Sequence, residues 1–123
     1  MVRGTDATNR IAPAVPRPLL AVETARQERS YVVALKGDFD FAAAGLVDSE
    51  LRAAERSGAP SIVLDMSRLE FIDCSGVRVV LRALARARRF KIELGIVPGP
   101  QPVQRVFDLT GTASQLPLVD AVS

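Results

Sequence analysis

Leu64-Asp65-Met66-Ser67-Arg68-Leu69-Glu70-Phe71-Ile72-Asp73-Cys74-Ser75-Gly76-Val77 joins two segments of opposite hydrophobic periodicity. Residues 61–65 on its N-terminal side (Ser-Ile-Val-Leu-Asp) form a short apolar, β-branched run, the pattern of a central strand buried on both faces. On its C-terminal side Val77, Val80, Leu81, Leu84 and Ala85 recur at i, i+3, i+4, i+7 and i+8, the stripe of a helix packed on a sheet. Between them the chain reads as a loop anchored by Phe71 and Ile72, with Ser75 capping the helix. That places the Ser75 hydroxyl beside unpaired backbone N–H groups, a favourable place for an anion or a phosphate. On the residues alone, a serine at this position is an ordinary helix cap.

Working outward, residues 19–26 and 30–36 are β-like, the second with Tyr31, Val33 and Leu35 on one face, and Gln27-Glu28-Arg29 connects them as a hairpin. Gly37-Asp38-Phe39-Asp40 breaks the strand, and Asp40 is placed to cap a helix through Ala44, Val47, Leu51 and Ala54 that ends at Gly58. Beyond the second helix, residues 91–97 read as a strand and Pro98-Gly99-Pro100 as a turn. Residues 102–110 read as a short helix opened by proline and closed by Gly111, and residues 116–119 as a last edge strand. Residues 1–18, with Pro13, Pro16 and Pro18 and no apolar period, are expected to be a disordered tail before a domain over residues 19–123. Two initial strands followed by strand–helix alternation predict an α/β layer fold with a mixed sheet, parallel in its crossover part.

A chain of 123 residues with 48% hydrophobic content can bury one ordinary core, so one domain is expected. No window approaches the roughly 18 apolar residues of a membrane span and the N-terminus has no apolar signal core, so a cytoplasmic protein without membrane insertion is expected. The chain has no histidine, which removes the commonest general base and metal ligand, and one cysteine, Cys74, which forms no disulfide within the chain. There is no G-x-x-x-x-G-K-[ST], no G-x-G-x-x-G, and no G-x-S-x-G around Ser75. The net charge of +2 is uneven: Arg78, Arg82, Arg86, Arg88, Arg89 and Lys91 form a basic block, and setting those six aside leaves ten bases against fourteen acids. There is no tryptophan, the one tyrosine lies in an expected strand, and no aromatic residue is interleaved with the arginines themselves, so a solvated helix face is expected for Arg78, Arg82, Arg86 and Arg89, an acidic protein partner is the alternative, and no nucleic acid is expected.

The central stretch resembles the signature of the STAS family, the sulfate-transporter and anti-sigma-factor-antagonist domains: an apolar strand, Asp, a loop ending in Phe-Ile-Asp, then a small residue, Ser-Gly and a helix. Gly37-Asp38-Phe39-Asp40 and Val103-Gln104-Arg105-Val106-Phe107-Asp108-Leu109-Thr110-Gly111 resemble the family's pattern before its first helix and at its late short helix, so the likeness runs from Leu19 onward. It departs at Cys74, where serine or threonine is usual, and at Ser123, where many members continue into a longer final helix. The resemblance implies a STAS-type mixed sheet with helices mainly on one face. It also implies a bacterial anti-sigma-factor antagonist that is phosphorylated on Ser75 and is no enzyme. The partners it implies are an anti-sigma factor with serine-kinase activity, which brings its own ATP and Mg²⁺, and a serine phosphatase; no cofactor is expected on this chain. Asp40, Asp73, Cys74, Ser75, Gly76, Arg78 and Arg82 are the partner-facing candidates.

Each of these residues also has a plainer reading. Asp40 and Asp73 are read as cap or turn residues, Asp65 as a strand end and Asp38 as solvated, and the four not as a Mg²⁺ site. Cys74 is read as a small apolar residue tucked under the helix, with redox sensing as the alternative. Two other functions keep different classes in view: a STAS subunit of a lipid-transport ATPase or stress-signalling assembly, betrayed by co-purification with a permease or ATPase, and an enzyme with Ser75 or Cys74 as nucleophile. The latter needs a base that the sequence does not provide.

Overall fold

Val33 and Leu35 are buried and Tyr31 packs against the same core, as a period of two along an extended chain requires. They lie on β2 (Ser30–Phe39), which follows β1 (Leu20–Arg26) as an antiparallel hairpin with Arg26 opposite Tyr31 and Leu20 opposite Gly37. Gln27 N donates to Ser30 O across the turn (2.8 Å). The computed structural model describes residues 19–120, so the expected disordered tail lies outside the described residues.

α1 (Phe41–Arg56) is capped by Asp40, whose Oδ1 accepts from Ala43 N (3.2 Å), and Gly58 at φ +82° turns the chain away after it. It buries Ala43, Val47, Leu51 and Ala54, so the first turn faces the core through Ala43, with the expected Ala44 only half-buried beside it.

β3 (Ser61–Ile72) is central as expected, parallel to β2 and to β4 (Glu93–Val97) in the order β1-β2-β3-β4. Two expectations about it need correction. It is buried on one face, not two: Ile62, Leu64 and Met66 point into the core, while Ser61, Val63 and Asp65 are only half-buried. All three described α-helices pack mainly on one side, their Val47, Leu51, Val80, Leu84, Val103 and Phe107 joining Ile62 and Leu64 in one cluster. The strand also runs on to Ile72 where a loop was expected. From Ala34 to Phe39 β2 advances five residues, while its partners advance seven, from Asp65 to Ile72, so β3 carries two bulges. These convert alternation into burial at every third position, Met66, Leu69 and Ile72, which does not read as a strand. Asp65 Oδ1 holds Ser67 N (2.9 Å) beside the first bulge.

α2 (Cys74–Phe90) buries Gly76, Val77, Val79, Val80, Ala83, Leu84 and Ala87. The buried stripe is thus turned from the expected one: Val79, Ala83 and Ala87 are inside, Leu81 is half-buried and Ala85 is exposed. The helix ends in a left-handed Lys91 (φ 59°), which was expected to open the next strand; no glycine marks the stop. The rotation carries Arg86 to the seam with α1. Its Nε donates to both Glu55 oxygens (2.9 Å each) and its Nη2 lies 3.5 Å from Asp48 Oδ1, with the Arg86 and Glu55 side chains 15% and 12% exposed. Arg86 is therefore not part of a solvated face, whereas Arg78, Arg82 and Arg89 are exposed. Arg86→Gln is expected to cost about 1–3 kcal/mol, because Glu55 loses a charged donor whose single Nε–H is shared between both carboxylate oxygens at a half-dry seam. Arg78→Gln and Arg82→Gln should each stay within about 0.5 kcal/mol of the parent. Urea midpoints of the three variants check this, and equal midpoints would remove the structural role of the Arg86 pair.

After β4 the chain forms α3 (Gln101–Leu109), with Pro102 in its first turn and Val103 and Phe107 buried. The expected edge strand at residues 116–119 shrinks to one parallel bridge between Leu118 and Ile96, since Pro117 offers a carbonyl to Ile96 N (2.9 Å) but has no N–H for a longer ladder. No helix of the described residues is long and apolar enough to cross a membrane.

Candidate functional site

β2 and β3 end side by side, Phe39 opposite Ile72, and each passes through one aspartate straight into a helix. Asp40 and Asp73 take nearly the same extended backbone (φ −112° and −113°) and cap α1 and α2 respectively. Two helix N-termini therefore adjoin at the carboxyl ends of parallel strands, the place where α/β sheets usually carry their function.

Asp73 ties this corner together. Its Oδ1 accepts from Ser75 N (2.8 Å) and Gly76 N (3.2 Å), and its Oδ2 accepts from Phe41 N (3.2 Å) at the start of α1. Its own N–H donates to Phe39 O (3.2 Å) and its carbonyl accepts from Val77 N (3.1 Å). One carboxylate thus satisfies orphan donors of two helices at once. Two readings change as a result. The cap of α2 is Asp73, and Ser75 sits half-buried within the first turn. The N–H groups of Ser75 and Gly76 are also already bonded to Asp73, so the turn is not an empty cradle for an anion.

Cys74 is exposed and not tucked beneath the helix. Gly76 is buried: a Cβ there would lie 2.7 Å from Ile72 Cγ1 and 2.8 Å from the Phe39 carbonyl oxygen, so its absent side chain lets α2 close on the strand ends. Arg78 and Arg82 lie one and two turns along α2 at i+3 and i+7 from Ser75, on the same helical face and exposed. The corner therefore gathers Asp40, Asp73, Cys74 and Ser75, with Arg78 and Arg82 leading away from it and Gly76 beneath. Asp38 and Asp65 stand elsewhere, on β2 and midway along β3. Among the described residues no three His, Cys, Asp or Glu side chains are grouped to hold a metal ion.

The sequence reading passed over Phe41 and took Phe71 for an anchor together with Ile72, whereas Ile72 alone is buried. Phe41 is 82% exposed at the first position of α1, and Phe71 is 49% exposed two residues before Asp73. The helical phase carried a signal for Phe41, since an apolar residue directly after the cap falls off the Ala43, Val47, Leu51 stripe.

Comparison with known proteins agrees with this architecture. The STAS domain family matches residues 21–123. BtrV of Bordetella bronchiseptica, provisionally named an anti-sigma factor antagonist, is 31% identical over 90 residues, covering 73% of this chain and 78% of that protein. The anti-sigma F factor antagonist of Paenibacillus polymyxa is 26% identical over 102 residues, 82% of this chain and 87% of its own length. The solved structure of the unphosphorylated anti-sigma factor antagonist SpoIIAA superposes with a TM-score of 0.70 at 25% identity, covering 84% of this chain and 90% of that one. With its four-stranded mixed sheet, three helices and a family match spanning nearly all of its described residues, this chain belongs to the STAS domain family.

Proposed function

We propose that this chain is an anti-sigma-factor antagonist: unphosphorylated, it binds an anti-sigma factor that is also a serine kinase, freeing a sigma factor, and phosphorylation of Ser75 by that kinase ends the interaction until a serine phosphatase restores it. The observation that carries the reading is the placement of a half-buried serine in the first turn of α2, beside the Asp73 carboxylate that joins two helix starts, in a STAS domain whose relatives carry the antagonist name. ATP and Mg²⁺ belong to the partner, and this chain is substrate and ligand, acting in the bacterial cytoplasm. The chain is read as a binding module and not as an enzyme: the carboxylate nearest Ser75, that of Asp73, is engaged by the backbone N–H groups of Phe41, Ser75 and Gly76.

The test is incubation of the purified chain with ATP, Mg²⁺ and each anti-sigma kinase encoded in the same genome, followed by phosphopeptide mapping. Ser75 is expected to carry the label in preference to Ser67. Ser67, within the stretch expected to be a loop, is exposed on the bulged strand β3. Accessibility therefore favours Ser67, and a label on Ser75 reports docking at the corner. Label on Ser67 with Ser75 unmodified would end the proposed mechanism.

A further inference from the structure

The chain has five phenylalanines, and their burial divides them sharply. Phe39 and Phe107 are fully buried, while Phe41 and Phe71 stand in solvent on either side of Asp73 in the fold, Phe41 through its N–H bond to Asp73 Oδ2 and Phe71 through the strand that leads into it. A ring exposed as fully as Phe41 contributes nothing to the core and leaves apolar area in water that the fold does not require. Exposed aromatic side chains with few rotatable bonds are the usual anchors of protein interfaces, entering a pocket on the partner and giving up their water.

A second observation gives the anchor a charged neighbour. Arg86 is held by Glu55 and Asp48, Arg52 by Asp48, and Arg68 lies near Glu23, but among the described residues Arg78 and Arg82 have no carboxylate partner. They share a helical face with Ser75, so an apolar area at the start of α1 and a cationic area along α2 flank the serine.

Resting on the antagonist reading, we infer that Phe41 is the principal anchor of the docking surface around Ser75. The partner is accordingly a protein surface with an apolar pocket for the Phe41 ring and carboxylates at its rim for Arg78 and Arg82. Such a rim is drawn to the unmodified corner and turned away when a phosphate dianion on Ser75 cancels the two arginines. The ring supplies residence time and the arginines supply encounter rate, because buried anchors act mainly on dissociation and rim charges on association.

The probe is the anti-sigma kinase of the same genome that phosphorylates the wild-type chain. Phe41→Ala is expected to raise its Kd at least about tenfold and to raise KM for phosphorylation with kcat unchanged, as loss of a docking contact requires. Its melting curve should match the parent, since the side chain is exposed. Phe90→Ala serves as the control: Phe90 is 57% exposed at the far end of α2, sixteen residues and about 24 Å along the helix axis from Cys74. Its Kd should stay within about twofold of the wild type. Arg78→Gln/Arg82→Gln should slow association and flatten its salt dependence. Binding by Phe41→Ala within about twofold of wild type overturns the anchor and leaves the antagonist reading standing. Failure of the wild-type chain to bind or be phosphorylated by any such kinase overturns both.

Discussion

Phosphorylation of Ser75 is expected to weaken binding to the anti-sigma kinase by roughly thirtyfold to several thousandfold while leaving the domain folded, because the dianion is costly when sealed into an interface and far less so at a half-buried corner that still reaches water. Burying it against a partner surface without a matching cation costs about 2–5 kcal/mol, which sets that range of affinity loss. For the fold, the relevant neighbour is Asp73. Its Oδ1 already holds Ser75 N and Gly76 N, so the phosphate gains no new backbone donors there and faces a carboxylate instead. Against that repulsion stand the helix dipole, worth about 0.3–1 kcal/mol at an N-terminus, and Arg78 one turn away, worth about 0.2–0.5 kcal/mol at this spacing. Repulsion between charges at a site that still reaches water is of the same order, so the balance lies within about 1 kcal/mol, or a Tm shift of about 4–8 °C for a domain of this size. Calorimetry on stoichiometrically phosphorylated protein should give a native-like melt and a sharply weaker binding isotherm. Ser75→Asp should show a weaker version of both, and Ser75→Ala should bind without being released by ATP. A phosphorylated form that melted more than about 15 °C lower, or bound as tightly as the unmodified chain, would overturn a switch based on surface charge.

Gly76→Val is expected to cost about 3 kcal/mol, the upper end of the usual range for overfilling a packed site. The Cβ alone would stand 2.7 Å from Ile72 Cγ1 and 2.8 Å from the Phe39 carbonyl oxygen. Ile72 can rotate; the carbonyl cannot, because it accepts the Asp73 N–H (3.2 Å) and is fixed in the β2–β3 ladder. Relief therefore has to come from moving α2 off the strand ends, which opens the Asp73 corner and exposes part of Val77 and Val80. Gly45→Ala is the matched comparison. Gly45 is exposed within α1 and a methyl added there would meet nothing within 4 Å, so the better helix former should stabilise by about 0.5–1 kcal/mol. Urea unfolding of the two variants should move in opposite directions; a Gly76→Val midpoint equal to the parent would mean that α2 does not close on Phe39 as described.

Local chemistry explains which features were legible in the residues. The β1–β2 hairpin, the Asp40 cap, the glycine after α1 and the helix after Ser75 each depend on near neighbours in sequence, on alternation, on a carboxylate reaching a donor three residues on, or on a period of 3.6. From them the order of elements and the mixed sheet follow, and the family signature between Leu64 and Val77 supplied the choice of Ser75. Other features depend on contacts between distant parts of the chain. β3 extends to Ile72 only because β2 is there to pair with it across two bulges, and those bulges erase the alternation that would have announced a strand. The buried face of α2 is set by where α1 and the sheet lie, which draws Arg86 to Glu55 across thirty-one residues and leaves Ala85 outside. The bond from Phe41 N to Asp73 Oδ2 spans thirty-two residues. Sequence alone determined that a helix would start around Ser75; only the tertiary structure decided that Asp73 would cap it and hold two helices at once, because the second donor reaches it through the parallel pairing of β2 and β3.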